Sequence, residues 1–396
     1  MSCSSRIKKS ANVDPLFSER SSLRLTQEKA AAAMIGSVRA QSMNDSTLHK
    51  FVLRRNNQYK PVIYNDQYLR RSSPGACFTE GNIFTITDRV SQYILKDDNN
   101  IIRTGSYYIS SNLLDNYGRI IDNNIPTIFF FRGESKSEDV NIARDIYYLK
   151  DIYVNQYNID KIFISMHPLT SYDGSFNYNV FDTTSGIDSS RINSVDDIVS
   201  FNSILTKLRD TIGLDSDSPV YARGHSSGGE FCYRLIKDCS LNGMVVSGAN
   251  FIIDNLEKLT TSDDYDISFV FIIHGVNDSL VPYDLSNDDI SYNNTPSSLG
   301  IDYYDTIETA DSWLDYLSSG DISNIEDIDS SLVTINIGTD LNENYLDVIK
   351  YTDTDDNYDF RLWKIVDGTH NIPKKIEEEI RDEMNELITN NLISIN

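Results

Sequence analysis

At 396 residues the chain is long enough to bury a sizeable core without disulfides, and a formal charge of −24 excludes a body that wraps nucleic acid or lies on an anionic membrane. Its four cysteines, Cys3, Cys77, Cys232 and Cys239, show neither C-x-x-C pairing nor the His/Cys clustering of a zinc site. No run has the length of a transmembrane helix or the form of a secretory signal, so the expectation is an intracellular protein, cytoplasmic or part of a larger particle.

The charge is unevenly placed. Residues 1–71 hold thirteen Lys and Arg against five Asp and Glu, a net +8, so the remainder carries −32. Residues 1–75 read as a basic, partly disordered arm with one short helix from Thr26 to about Ala40, where Leu25, Ala32, Ile35 and Arg39 fall near one face. The arm either folds against its own acidic body or binds a protein or anionic partner, and any contact with nucleic acid would run through it. Ser72-Ser73-Pro74-Gly75 marks its boundary with a body over residues 76–396.

Within the body, strand and helix signals alternate. Phe84-Thr85-Ile86 and Tyr107-Tyr108-Ile109 read as short outer strands around the polar Asp97-Asp98-Asn99-Asn100 turn. Thr127 to Phe131 and Lys161 to Met166 are apolar runs of buried-strand type, with a helix expected between them from Val140 to about Gln156. A polar and aromatic loop from His167 to about Asn193 leads to a helix with Val195, Ile198, Val199, Leu205, Leu208 and Ile212 at helical spacing. Further strands are expected at Pro219 to Ala222, Gly243 to Val246, Ile267 to Ile273 and Phe360 to Val366, and helices over Asp305 to Leu317 and Lys374 to Leu392. Acidic segments around Asp284 to Gly300 and Gly320 to Asp329 read as surface insertions, and Asp353 to Asp359 as a solvated hairpin or loop. This alternation predicts an α/β fold with a mostly parallel central sheet and helices on both faces.

The stretch Gly224-His225-Ser226-Ser227-Gly228-Gly229 follows an apolar run and precedes the helical run Glu230 to Ile236, which makes it a G-x-S-x-G turn in a strand–turn–helix setting. Such a turn strains its serine and stands the hydroxyl at a helix head, near backbone N–H groups that can receive an oxyanion. A serine needs a base, and the base an orienting carboxylate, here sought after the serine in the order Ser, Asp, His. Of five histidines only His274 and His370 follow Ser226. His370 lies in Gly368-Thr369-His370, between the last strand and the last helix. Asp278 lies in His274-Gly275-Val276-Asn277-Asp278, at the carboxyl end of an apolar strand. His274 is better placed to hold that loop than to act on substrate, and His225 is expected to point back into the fold.

Together these segments resemble the polyhydroxybutyrate depolymerase and feruloyl-esterase branch of the α/β-hydrolase superfamily. The likeness runs through the elbow and Tyr233-Arg234-Leu235, through His274-Gly275 to Asp278 and Val281-Pro282-Tyr283 with Trp313 on the next helix, and through Gly368-Thr369-His370 and Pro373. It covers about residues 80–392 and leaves out the arm. It implies an α/β-hydrolase domain with Ser226 as nucleophile, Asp278 as orienter and His370 as general base. It also implies an oxyanion hole from the Ser227 N–H and from the loop at Gly133 and Glu134. Arg132-Gly133 stands where the family has His-Gly, and Glu134-Ser135-Lys136 where more glycine and less charge is usual, which implies a narrower, more charged site. Arg132 and the loop aromatics Tyr172 and Phe176 are the candidate substrate contacts.

The leading reading is a serine esterase that hydrolyses carboxylic esters through an acyl-enzyme, with small or polymeric substrates of polyhydroxyalkanoate or feruloyl type and no metal or organic cofactor. The rival reading is a weak or inactive hydrolase-fold binding protein, anchored in a larger assembly by its arm.

Overall fold

The computed structural model describes residues 84–98, 102–136, 161–179, 197–251, 267–284, 304–338 and 343–395, short gaps within these spans aside. The basic arm with its helix, the helix expected over 140–156 and the insertion expected beyond Asp284 lie outside the described residues. In chain order the strands are β1 (Thr87–Lys96), β2 (Ile102–Ile109), β3 (Thr127–Phe131), β4 (Ser135–Lys136), β5 (Ile162–Met166), β6 (Thr170–Tyr172) and β7 (Asn177–Asn179). They continue with β8 (Val220–His225), β9 (Gly243–Ser247), β10 (Phe269–Gly275), β11 (Asp329–Asn336), β12 (Tyr345–Thr354) and β13 (Asp359–Ile365). The described α-helices are α1 (Asp197–Ile212), α2 (Ser227–Asp238), α3 (Thr306–Leu317) and α4 (Lys374–Ile395).

These elements belong to two compact units. The first takes in β1, β2, β4 to β7 and α1; the second takes in β3 from Ile128 onward, β8 to β13 and α2 to α4. In the first unit β2 pairs antiparallel with both β1 and β5, and β4, β7 and β6 make a small antiparallel sheet. The first strand starts at Thr87, just beyond the run that suggested it. α1 buries Ile198, Phe201, Ile204, Leu205, Leu208 and Ile212, the spacing of three and four that places one apolar stripe on a helix. Arg103 on β2 is wholly buried, and Asp97 at 3.1 Å and Asp197 at 2.6 Å compensate its charge. A strand is thereby tied to the start of α1.

The second unit carries strands in the order β3-β8-β9-β10-β13-β12-β11. β8, β9, β10 and β13 run parallel, whereas β13, β12 and β11 form an antiparallel meander. β9 and β10 are buried at every residue and β8 at all but the last, which is why they read as unbroken apolar runs. Around them, Trp313 of α3 stacks on Phe251 at 5.2 Å, and Trp363 of β13 packs edge-on to Phe271 at 5.0 Å. Each such ring contributes roughly 2–3 kcal/mol through burial. Buried Arg223 on β8 meets buried Glu377 in the first turn of α4 at 3.0 Å and 3.2 Å.

The sequence reading needs two corrections here. It expects only a loop from His167 to about Asn193, where β6 and β7 pair, and it places no strand at 329–336 or 345–354, yet β11 and β12 stand there and β12 pairs with β13. Between β12 and β13 the Asp355 N–H donates to the Tyr358 carbonyl at 2.9 Å. The parallel centre, with its intervening helices, is the α/β architecture expected. No described helix is long and apolar enough to cross a membrane.

Candidate active site

β8 ends at His225 and α2 begins at Ser227, which leaves Ser226 alone in the turn. Its φ is 54° and its ψ −130°; among the described non-glycine residues only Ser319 shares a positive φ. Holding a side chain there costs about 1–3 kcal/mol, so the surrounding packing must fix it. The Ser226 N–H donates to the Ser247 carbonyl at 2.9 Å, and the Ser226 carbonyl accepts from Gly229 and Glu230 at 2.7 Å and 3.0 Å. A serine at this helix position ordinarily turns its hydroxyl back to cap an N–H of the first turn. Here Ser226 makes no side-chain cap bond, because its left-handed backbone directs the hydroxyl elsewhere. The start of α2 lies hard against the end of β3: a Cβ on Gly228 would sit 2.3 Å from the Phe131 carbonyl oxygen and 2.5 Å from that of Arg132.

The chain leaving β3 therefore passes over the elbow. A Cβ on Gly133 would stand 2.8 Å from the Ser226 Cβ and 3.4 Å from its Oγ. Ser227 is buried, and its N–H belongs to the first turn of α2, whose donors a helix leaves unpaired and whose dipole favours negative charge. Arg132 is half-buried beside Gly133, while Glu134 lies outside the described residues. Tyr172 stands in β6 of the first unit; its side chain and Phe176 also lie outside what is described.

β10 and β13 are parallel neighbours, so their carboxyl ends emerge side by side. The loop after β10 carries Asp278 and the loop after β13 carries His370. The Asn277 N–H donates to the Gly368 carbonyl at 2.8 Å and ties the two loops together. Asp278 is wholly buried and accepts on both oxygens. Its Oδ1 takes the N–H groups of Leu280 and Val281 at 2.8 Å and 2.9 Å. Its Oδ2 lies 2.8 Å from His370 Nδ1 and 3.3 Å from His274 Nε2. Burial alone would raise the Asp278 pKa; the hydrogen bonds and charge of His274 and His370 outweigh it and hold the carboxyl well below the usual range.

An ionised carboxylate can only accept, so His370 Nδ1 donates to it and the basic lone pair lies on Nε2. The hydrogen bond described for His370 is the one to Asp278, and none joins it to Ser226 Oγ. Its ring lies against that of His225, the residue before Ser226, with centroids 4.9 Å apart. His370 is 12% exposed, enough to meet an incoming molecule. Ser226, Gly133, Ser227, Asp278 and His370 thus share the second unit.

Two features escaped the sequence reading. His225 was expected to face the interior; it is half-buried, with Nδ1 3.0 Å from Ser247 Oγ and its ring on His370. It ends its strand, where alternation no longer dictates a face. His274 does hold its loop, with Nε2 2.9 Å from the Val281 carbonyl, but its contact with Thr306 joins residues 32 apart that no motif links.

The sequence matches no protein family model and no curated protein. Among solved structures, the chain is similar to a Bacillus cereus carboxylesterase at 9% identity over 75% of this chain and 94% of the other, with a TM-score of 0.37. It is also similar to the siderophore hydrolase EstB from Aspergillus nidulans at 13% identity over 49% and 71%, with a TM-score of 0.33. A Xanthomonas campestris serine hydrolase without a lid matches at 8% identity over 76% and 94%, with a TM-score of 0.35. The fold class is that of an α/β hydrolase, in which a parallel sheet presents a strand–serine–helix elbow and loops at neighbouring strand ends carry Asp and His.

Proposed function

We propose that the protein is a serine esterase acting through an acyl-enzyme. The observation that carries this reading is Ser226 itself: a strained serine at a helix head that makes no capping bond, following His225, whose ring lies on His370 of the Asp278–His370 pair. A turn that only linked strand to helix would have no use for this strain, and a glycine would remove it.

In the proposed reaction His370 Nε2 takes the Ser226 hydroxyl proton as Oγ attacks the ester carbonyl carbon. Asp278 keeps the imidazole in the tautomer that leaves Nε2 basic and stabilises the imidazolium. Charge developing on the carbonyl oxygen is received by the Ser227 N–H at the head of α2 and by a second N–H from the chain following Gly133, in Glu134. His370 then protonates the leaving alcohol, and water, activated by the same base, attacks the acyl-serine and frees the acid.

The substrate proposed is a carboxylic ester of hydroxyalkanoate or feruloyl type, with Arg132, half-buried at the exit of β3, beside the acyl group. Turnover of short-chain, hydroxyalkanoate and feruloyl esters tests both levels. Activity on any of them, lost in Ser226→Ala and His370→Gln, supports the esterase, and the preferred ester names the class. Absence of turnover on all three by well-folded protein contradicts it.

A further inference from the structure

Asp278 has a second histidine. His274 is wholly buried, and every polar neighbour of its ring can be assigned as donor or acceptor by counting protons. Nε2 faces the Val281 carbonyl at 2.9 Å and Asp278 Oδ2 at 3.3 Å. Both are acceptors, so Nε2 carries a proton. Nδ1 faces Thr306 Oγ1 at 2.9 Å. That hydroxyl has one proton, and it also lies 2.9 Å from Asn250 Oδ1 and 3.4 Å from the Pro282 carbonyl, both acceptors.

The Asn250 amide cannot be turned round, because its Nδ2 donates to the Pro282 carbonyl at 2.7 Å, and a flip would set two acceptors face to face there. Asn250 Oδ1 therefore needs the Thr306 proton; without it, two buried oxygens would face each other unbridged. Thr306 Oγ1 is left to accept from His274 Nδ1, which must carry a proton too. From this count we infer that His274 is held as an imidazolium and acts as a positioning residue, one whose fixed positive charge on Asp278 sets how strongly the carboxylate supports a proton on His370. The inference rests on the esterase reading for its catalytic consequence, but not for its protonation state.

The surroundings are consistent with a buried cation. Apart from Asp278, the Tyr283 ring meets His274 edge-on at 6.0 Å. Burial pushes that phenol well up, so it stays neutral. Lys364, opposite His274 on β13, turns its ammonium over the Tyr283 ring at 5.0 Å. Tyr351, Asp305, Asp284 and Asp311 act electrostatically on the Tyr283 hydroxyl. Asp278 thus receives four hydrogen bonds, two from backbone and two from imidazoles, one of them the proposed imidazolium. A carboxylate already paired with a cation lends less support to a second one. His370 then releases its proton more readily to the leaving alcohol.

Nitrogen NMR of the full chain with labelled histidine reads the protonation state directly. One imidazole is expected to carry protons on both nitrogens at neutral pH, and its signal should vanish in His274→Gln and become that of a neutral ring in Thr306→Val. A wild-type His274 that carries a single proton at pH 7 overturns the inference. Kinetics supply the second readout: both variants should move the acid limb of the kcat profile upward by about one pH unit, beyond any uniform loss of rate. A limb that stays in place in either active variant also overturns it. Because the NMR signal needs no turnover, an inactive protein would sink the esterase reading and still test this one.

Discussion

Gly133 lies so close to Ser226 that a Cβ added to it would come within 2.8 Å of the serine Cβ. The chain leaving β3 is thus packed onto the nucleophile candidate, where the second oxyanion donor of the proposed mechanism must come from. Gly133→Ala is expected to push the two apart and lower kcat on the order of 100-fold. KM should change little, while the thermal midpoint should fall by the cost of that overpacking, about 1–3 kcal/mol, with no added backbone strain because Gly133 has no positive φ. A stopped-assay comparison with wild type, paired with a melt, checks both halves.

The strain at Ser226 can be measured apart from its chemistry. Ser226→Ala and Ser226→Gly both remove the hydroxyl, but only glycine accepts a φ of 54° without cost. The glycine variant should unfold at higher denaturant than the alanine variant, by about 1 kcal/mol. Equal stability would mean that the turn is unstrained.

Asp278 predicts a pH dependence of stability. Its native pKa is depressed, so its contribution is fully present above the ordinary carboxyl pKa of about 4 and is lost as pH falls toward the lower native value. Urea unfolding of wild type and Asp278→Asn should therefore differ most near pH 6. The gap should shrink as pH falls below about 4 and go on shrinking toward the lower native value.

The buried Arg223–Glu377 pair joins the elbow strand to the last helix. Glu377→Ala leaves the guanidinium without its carboxylate and should cost about 3–5 kcal/mol. A small loss, under about 1 kcal/mol, would mean that water reaches Arg223 from the α4 side.

What the sequence made legible follows from what each element must bury. β8, β9 and β10 are enclosed on both faces, so every residue had to be apolar or small, and the runs stood out. β11 begins Asp329-Ser330-Ser331 and is exposed at all but Ile335, so its short Leu332-Val333-Thr334-Ile335 run marks no buried face. Its strand character comes from pairing with β12, which composition does not record. At the site, Ser226, Asp278 and His370 were readable because each stands at a strand exit with a glycine near it. The support of His274 by Thr306 and Asn250 was not, because those residues meet only after the sheet has formed. The proposed triad could be read as an order along the chain, whereas the protonation proposed for His274 could only be read from hydrogen-bond partners.

The most direct test of the account is covalent. A fluorophosphonate at neutral pH should label the full chain once per molecule, and peptide mapping should place the adduct on Ser226. Labelling should disappear in Ser226→Ala and slow sharply in His370→Gln. Well-folded wild-type protein that takes up no label, or takes it up on a residue other than Ser226, would contradict the account and favour a hydrolase fold used only for binding.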